Sequence, residues 1–253
     1  MNLVISVIAA LSLAADPAPE QLAKARMDLK SPNVEMRREA IKHLIHSDLS
    51  VHLIPEMQSM LKDADGDVRA IAATAIGNLG AKGEPAVPAL IAQLEKDSFK
   101  EARETAARAL GRIGKAVPTN RTAVKPLQKA AAEDADPVTR TVALGALAMM
   151  DEDVPGQIAA LRKFLTHDEP LVRMKAAHAL GMIGIPAKAA AGEIAIVLEK
   201  ETDSHRRGYV ARALGNVGDP NFLPVLEKAL KNETDAGAQG EMRGAIQKLR
   251  GKP

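Results

Sequence analysis

A recurring arginine constrains this chain more than any other feature. Arg37, Arg69, Arg103, Arg140, Arg173 and Arg207 succeed one another at intervals of 32, 34, 37, 33 and 34 residues. The sequence around them repeats as well. Residues 63–80 (DADGDVRAIAATAIGNLG), 97–114 (DSFKEARETAARALGRIG), 167–184 (HDEPLVRMKAAHALGMIG) and 201–218 (ETDSHRRGYVARALGNVG) align without gaps. Residues 134–151 keep the frame but lose the glycines at its end, and residues 31–48 are more degenerate. A weaker seventh unit runs from about Asp235 to Arg250, with Met242 near the anchor position. Self-similarity at a period of roughly 20–50 residues marks a solenoid, in which each unit stacks on its neighbours.

Each unit reads as a pair of helices. Counted from the anchor arginine, small apolar residues fall at +3 and +4 (Ala72 and Ala73, Ala106 and Ala107, Ala176 and Ala177). Larger ones fall at +7 (Ile76, Leu110, Leu147, Leu180, Leu214). That is the stripe of an amphipathic helix, and the alanines let a neighbouring helix approach closely. Polar and acidic residues ahead of the arginine suit an N-terminal cap. Gly80, Gly114, Gly184 and Gly218 sit where left-handed C-terminal caps are expected. Between these stretches lie further apolar segments (86–97, 123–134, 222–232), with Pro88, Pro126 and Pro224 near their starts, where a helix tolerates proline. Short loops force the two helices of a unit into antiparallel contact. The expected fold is all-α, a right-handed α-solenoid of about seven antiparallel helix pairs.

Composition agrees. Hydrophobic residues make up 46% of the 253, yet aromatics only 2%, so the core must be aliphatic and rich in strong helix formers. Cysteine is absent, which excludes disulfides, zinc–thiolate sites and thiol catalysis. The formal net charge of +2 falls short of a dedicated nucleic-acid binder.

Residues Leu3–Ala15 carry no charge, and Asp16 is the first charged side chain. A membrane span needs roughly 20 apolar residues, so this run is too short. It fits the apolar stretch of a secretory signal, with Ser12 and Ala14 as small residues before a cut. Residues 1–15 are therefore expected to be a signal peptide on a solenoid of residues 16–253, and the protein to be exported to a periplasmic or extracellular space. The alternative is an apolar capping helix on a cytoplasmic protein; no Lys or Arg precedes the run.

The pattern D-x5-R, then A-A-x-A-L-G-x-I-G, then A-V-P-A-L resembles the HEAT-repeat family, and within it the PBS lyase HEAT-like repeats. The resemblance covers about residues 20–250. It implies an armadillo/HEAT-like superhelix, with Asp63 and Arg69, Asp97 and Arg103, and Asp134 and Arg140 contributing to a ladder that bridges neighbouring repeats. It also implies that the helix carrying the arginine lines the concave surface. Function does not follow from the fold.

Sequence motifs for chemistry are lacking. There is no phosphate-binding G-x-x-x-x-G-K-[ST] loop, nucleophile elbow or H-E-x-x-H pair. His43 and His46 are three apart on a helix, without a third metal ligand beside them. Deoxyhypusine hydroxylases, built on related repeats, hold two irons through His-Glu dipeptides, and none occurs here; Ala179 follows His178. Asp151, Glu152 and Asp153 read as a solvated turn. The basic residues Arg108, Arg112, Lys115, Arg121, Lys125 and Lys129 cluster in sequence, but aromatics to stack on bases are scarce. No catalytic residue, metal or cofactor is expected, and no nucleic acid.

The +5 and +9 positions lie one turn apart, away from the apolar stripe. They hold Thr74 and Asn78, Arg108 and Arg112, His178 and Met182, and Arg212 and Asn216. With Tyr209 nearby, these side chains are expected to line the concave face and to bind a protein partner of a monomeric, non-enzymatic scaffold. The other reading is a PBS-lyase-like enzyme, or enzyme accessory, using the same groove.

Overall fold

The computed structural model describes residues 17–251. The apolar segment Leu3–Ala15 and the boundary after residue 15 lie outside them. All regular secondary structure among the described residues is helical: four short 3-10 segments lie in the connections between pairs, and fourteen α-helices fall into seven pairs. These are α1 (Pro19–Leu29) with α2 (Val34–Leu44), α3 (Ile54–Met60) with α4 (Gly66–Asn78), α5 (Val87–Lys96) with α6 (Lys100–Ala116), and α7 (Val124–Glu133) with α8 (Pro137–Met149). The stack continues with α9 (Val154–Phe164) and α10 (Pro170–Ile183), α11 (Ala191–Lys200) and α12 (Ser204–Val217), and α13 (Leu223–Asn232) and α14 (Ala236–Leu249). The chain is an α-solenoid.

The even-numbered helices carry the anchor residues and pack closely on one another, α2 on α4 and so on to α14, while successive odd-numbered helices barely touch. Closer spacing on one side bends the stack toward that side. The concave surface is therefore formed by the faces of the even helices turned away from the odd ones. The residues at +3, +4 and +7 are buried between the layers, as with Ala72, Ala73 and Ile76, or Val210, Ala211 and Leu214.

Local sequence explains the boundaries. The residue four before the anchor caps five of the seven even helices: Asn33, Asp65, Asp136, Asp203 and Asp235 each accept a backbone N–H of the first turn, whereas Phe99 and Glu169 hold that position on α6 and α10 without a side-chain cap. Pro88 and Pro224 stand in the first turns of α5 and α13. Gly80, Gly184 and Gly218 follow their helices with φ of +55°, +77° and +76°. Gly114 does not end a helix: α6 runs on to Ala116, and a Cβ at Gly114 would collide with Met150. The anchor of the seventh unit is Gln239, three residues before Met242. Gln239 Nε2 donates to the carbonyl of Glu233, six residues back, as Arg37, Arg69, Arg103, Arg173 and Arg207 do to theirs, and Met242 is buried at +3.

Another set of glycines, at +8, sets the helix spacing. A Cβ on Gly77, Gly111, Gly181 or Gly215 would lie 2.6–2.7 Å from the Cα of Ala109, Ala146, Ala213 or Ala245 on the next even helix. Backbones meet there with nothing between them. On α8 the +8 residue is Ala148, and Gly145 lies at +5 instead.

The arginines join the repeats at the loop end of this layer. Arg37 Nε and Nη2 donate to the two carboxylate oxygens of Asp63 at 2.7 and 2.8 Å, Arg69 to Asp97 at 2.7 and 2.6 Å, and Arg103 to Asp134 at 2.8 and 2.9 Å. Arg207 grips Glu233 in the same fork, at 2.7 and 2.9 Å. Burial opposes ionisation of the three aspartates, but the guanidiniums outweigh it and hold each carboxyl below its ordinary value. Glu233 is held down to about 2, chiefly by Arg207, against its burial.

Two rungs differ. His167 stands where the acid facing Arg140 would be. Its Nδ1 accepts the N–H of Glu169 at 3.1 Å and so keeps the carboxylate's role in the turn, while Arg140 lies over the Phe164 ring, 5.7 Å from its centroid. Glu201 is paired with Arg206 at 3.0 Å, and Arg173 keeps only the bonds at its own helix start, to the carbonyls of His167 and Asp168, both at 2.7 Å.

The glycine contacts make opposite predictions for one substitution. Gly111→Ala forces α6 and α8 apart and should cost about 1–3 kcal/mol of overpacking, more than the helix-propensity gain of about 1 kcal/mol. Gly244 on α14 has open space around it, so Gly244→Ala should raise stability by up to about 1 kcal/mol. Thermal melts of both variants check this; equal shifts would show that the crossing is not close-packed.

Candidate partner-binding groove

The concave surface is built from positions +1, +2, +5 and +9 of successive even helices, and side chains from neighbouring repeats tie it together. At +9, Arg112 donates to the Asn78 side-chain oxygen, and Lys248 donates to that of Asn216. Arg212 at +5 of α12 pairs with Glu241 of α14 at 3.0 Å. Glu104 at +1 of α6 accepts from Arg108 one turn on and from Lys175 of α10 at 2.6 Å. That last pair spans α8 altogether. Its reach follows from curvature and from α8's sequence: the residues beneath are Thr141 and Gly145, both buried and without bulk.

The centre of the groove is a knot of charge. Arg108, Arg112, Lys175 and Arg212 face two carboxylates, Glu104 and Glu241. Burial works against ionisation of Glu104, but Lys175 and Arg108 outweigh it and hold its carboxyl below the usual range. Arg112 has no carboxylate partner among the described residues, and burial together with Arg108 pushes its pKa down. His178, between these cations, is lowered from 6.5 to about 4, first by burial and then by Arg212, Arg108, Lys175 and Arg112. It is a neutral imidazole at physiological pH.

Beside it lies a small aromatic platform. The Tyr209 ring meets His178 edge-on at 5.9 Å and His205 at 4.9 Å, and the Arg212 guanidinium sits over its face at 4.6 Å. Met182, at +9 of α10, is half exposed.

The structure thus brings Arg108, Arg112, His178, Tyr209 and Arg212 into one region, with Asn78 joined to it through Arg112 and Asn216 toward the α14 end. Thr74 is spent within its own helix, donating to the Ala70 carbonyl at 3.1 Å. The basic cluster of the sequence divides: Arg108 and Arg112 line the groove, whereas Lys125 and Lys129 are exposed on α7 in the other layer. Arg121 bonds the Met150 carbonyl and Glu152 in the α8–α9 loop.

Sequence reasoning missed Glu104, Lys175 and Glu241. All three lie at +1 or +2, positions that the period assigns to the flank of the helix, and only the concavity turns them inward. It also missed a cleft of about 1300 Å³ bounded by α1, α2 and residues 48–52, where His43, His52 and Lys82 line the wall and Asn78 joins it to the groove. Among the described residues no three His, Asp or Glu side chains converge as a metal site, and no helix is long and apolar enough to cross a membrane.

Sequence models of HEAT repeats match residues 20–98, 54–148 and 124–193, and that of the PBS lyase HEAT-like repeat matches residues 206–232. No curated protein sequence matches the chain. Among solved structures, the chain is similar to one in the complex of CpcE and CpcF of phycocyanin lyase from Nostoc sp. PCC7120, with 22% identity and a TM-score of 0.58 over 93% of this chain and 97% of that one. An engineered protein aligns at 23% identity and a TM-score of 0.49 over 92% of this chain and 69% of its own. Human deoxyhypusine hydroxylase aligns at 20% identity and 0.45, over 93% and 86%. At 22% identity the likeness to the first of these is one of fold.

His178 makes a pH prediction. Its pKa is lower in the fold than in the unfolded chain, so unfolding takes up a proton between about pH 6.5 and about pH 4. Its contribution to stability is present above that window, is lost as pH falls through it, and levels off below. Melting temperature against pH should slope there in the wild type and slope less in His178→Asn; identical slopes would place the imidazole in water.

Proposed function

We propose that this chain, which belongs to the HEAT-repeat family, is a non-enzymatic scaffold that holds a protein partner along its concave face. The observation that carries the reading is the groove itself: side chains of α4, α6, α10, α12 and α14 converge there with more cationic than anionic charge and an aromatic platform. Arginine and tyrosine are the side chains that protein interfaces favour, because each combines apolar surface with directional hydrogen bonds. Glu104 is engaged by two cations, and His178 is neutral with cations around it, an arrangement that suits positioning a partner.

A second reading has a specific observation behind it. The PBS lyase HEAT-like repeat at residues 206–232 and the fold shared with a phycocyanin lyase complex favour a lyase-related protein or accessory, working through the same groove. Export is proposed from the uncharged segment Leu3–Ala15 alone.

Affinity capture from the native source, with the chain immobilised, tests the scaffold. A single protein retained by the wild type and lost from a variant carrying Arg108→Glu, Arg112→Glu and Arg212→Glu, with circular dichroism unchanged, is the expected result. Retention by both would move the partner off the concave face. A chromophore retained in place of a protein would favour the lyase-related reading.

A further inference from the structure

The charge in the groove is unbalanced in a way the rest of the molecule is not. The chain carries 34 basic and 32 acidic residues, so its surface is close to neutral on average. Along the groove, four cations face two carboxylates, and Arg112 has only an amide for company. Holding like charges together in a partly desolvated place is unfavourable, and an anion laid among them offsets that cost.

The spacing describes the anion. The cations sit around His178 on three helices, a pair on α6 and one each on α10 and α12. Even helices pack at about 8–10 Å between axes and α8 contributes no cation to the groove, while an extended peptide advances about 3.3 Å per residue, so acidic side chains about six residues apart match α6 and α10 and about three apart match α10 and α12. Tyr209 and Met182 supply apolar contact between the charged positions.

We infer that the groove binds an extended acidic segment of the partner, its carboxylates seated at Arg112, at Arg108 with Lys175, and at Arg212. This rests on the scaffold function proposed above and gives its partner a chemistry. A nucleic acid fits less well. Phosphate tracks need basic residues beyond the groove, and Lys125 and Lys129 lie in the opposite layer; one tyrosine gives little for bases to stack on.

Fluorescence anisotropy on the full chain tests this with labelled peptides of about twelve residues, long enough to cross four helices. One has Glu at every third position, one has Gln there, and an oligothymidylate serves as the phosphate probe. The Glu peptide should bind at least about tenfold tighter than the Gln peptide, and Arg112→Gln with Arg212→Gln should remove most of that difference without altering circular dichroism. Raising salt to about 1 M, where screening acts within about 3 Å, should do the same. Equal affinity for the Glu and Gln peptides, insensitivity to the double variant, or tighter binding of the oligothymidylate would each overturn the inference. A native partner captured and lost on charge reversal, with no binding of the Glu peptide, would refute the acidic class while leaving the scaffold intact.

Discussion

The closeness of the even helices is the constraint from which the rest of the structure follows. Backbone meets backbone where Gly77, Gly111, Gly181 and Gly215 face alanines. No comparable contact joins the odd helices. One layer is thus shorter than the other, and the stack must curve. Curvature in turn shortens the distance across the inner face, so that Glu104 and Lys175 reach each other over α8. The groove's chemistry is a consequence of a packing rule obeyed behind it.

The arginine rungs fix the register of that packing. Each fork joins a helix to the acid opening the next repeat and also ties down carbonyls at its own helix start, as Arg69 does with Asp63 and Ala64. Van der Waals contact between smooth alanine-rich faces is weakly specific about sliding, whereas a bidentate ion pair tolerates little displacement. The departures from the pattern gather around α8 and α10. There the rung acid is replaced by His167, the crossing glycine by Ala148, and the buried core passes from one cluster to the next. The Glu104–Lys175 pair spans the same junction from the concave side and reinforces it where the loop side lacks a rung.

Much of this was legible in the sequence, because the period is local information. The anchor interval, the +3, +4 and +7 stripe and the capping residues report only on a helix and its nearest neighbours, and they gave the pairs and the buried face correctly. The +5 and +9 residues likewise came out on one surface. The errors were of two kinds. Gly114 was expected to end a helix because three aligned glycines do, but glycine also serves where a neighbouring side chain, here Met150, leaves no room for a Cβ. In the weak seventh unit the period places the anchor only near Met242, whereas Gln239, three residues earlier, reproduces the hydrogen bond to the residue six back. Glu104, Lys175 and Glu241 could not be assigned to the groove from the period, since how far a flank position turns inward depends on the curvature summed over several repeats.

The central claim is that the concave face of the even helices, and not the outer layer, receives the partner. Site-specific photo-crosslinking decides this most directly, with one reactive side chain placed at Met182 in the groove and another at Ile196 on α11, both half exposed. The account predicts a crosslinked partner from position 182 and none from position 196. Crosslinking from 196 alone would contradict it and place the binding surface on the convex side.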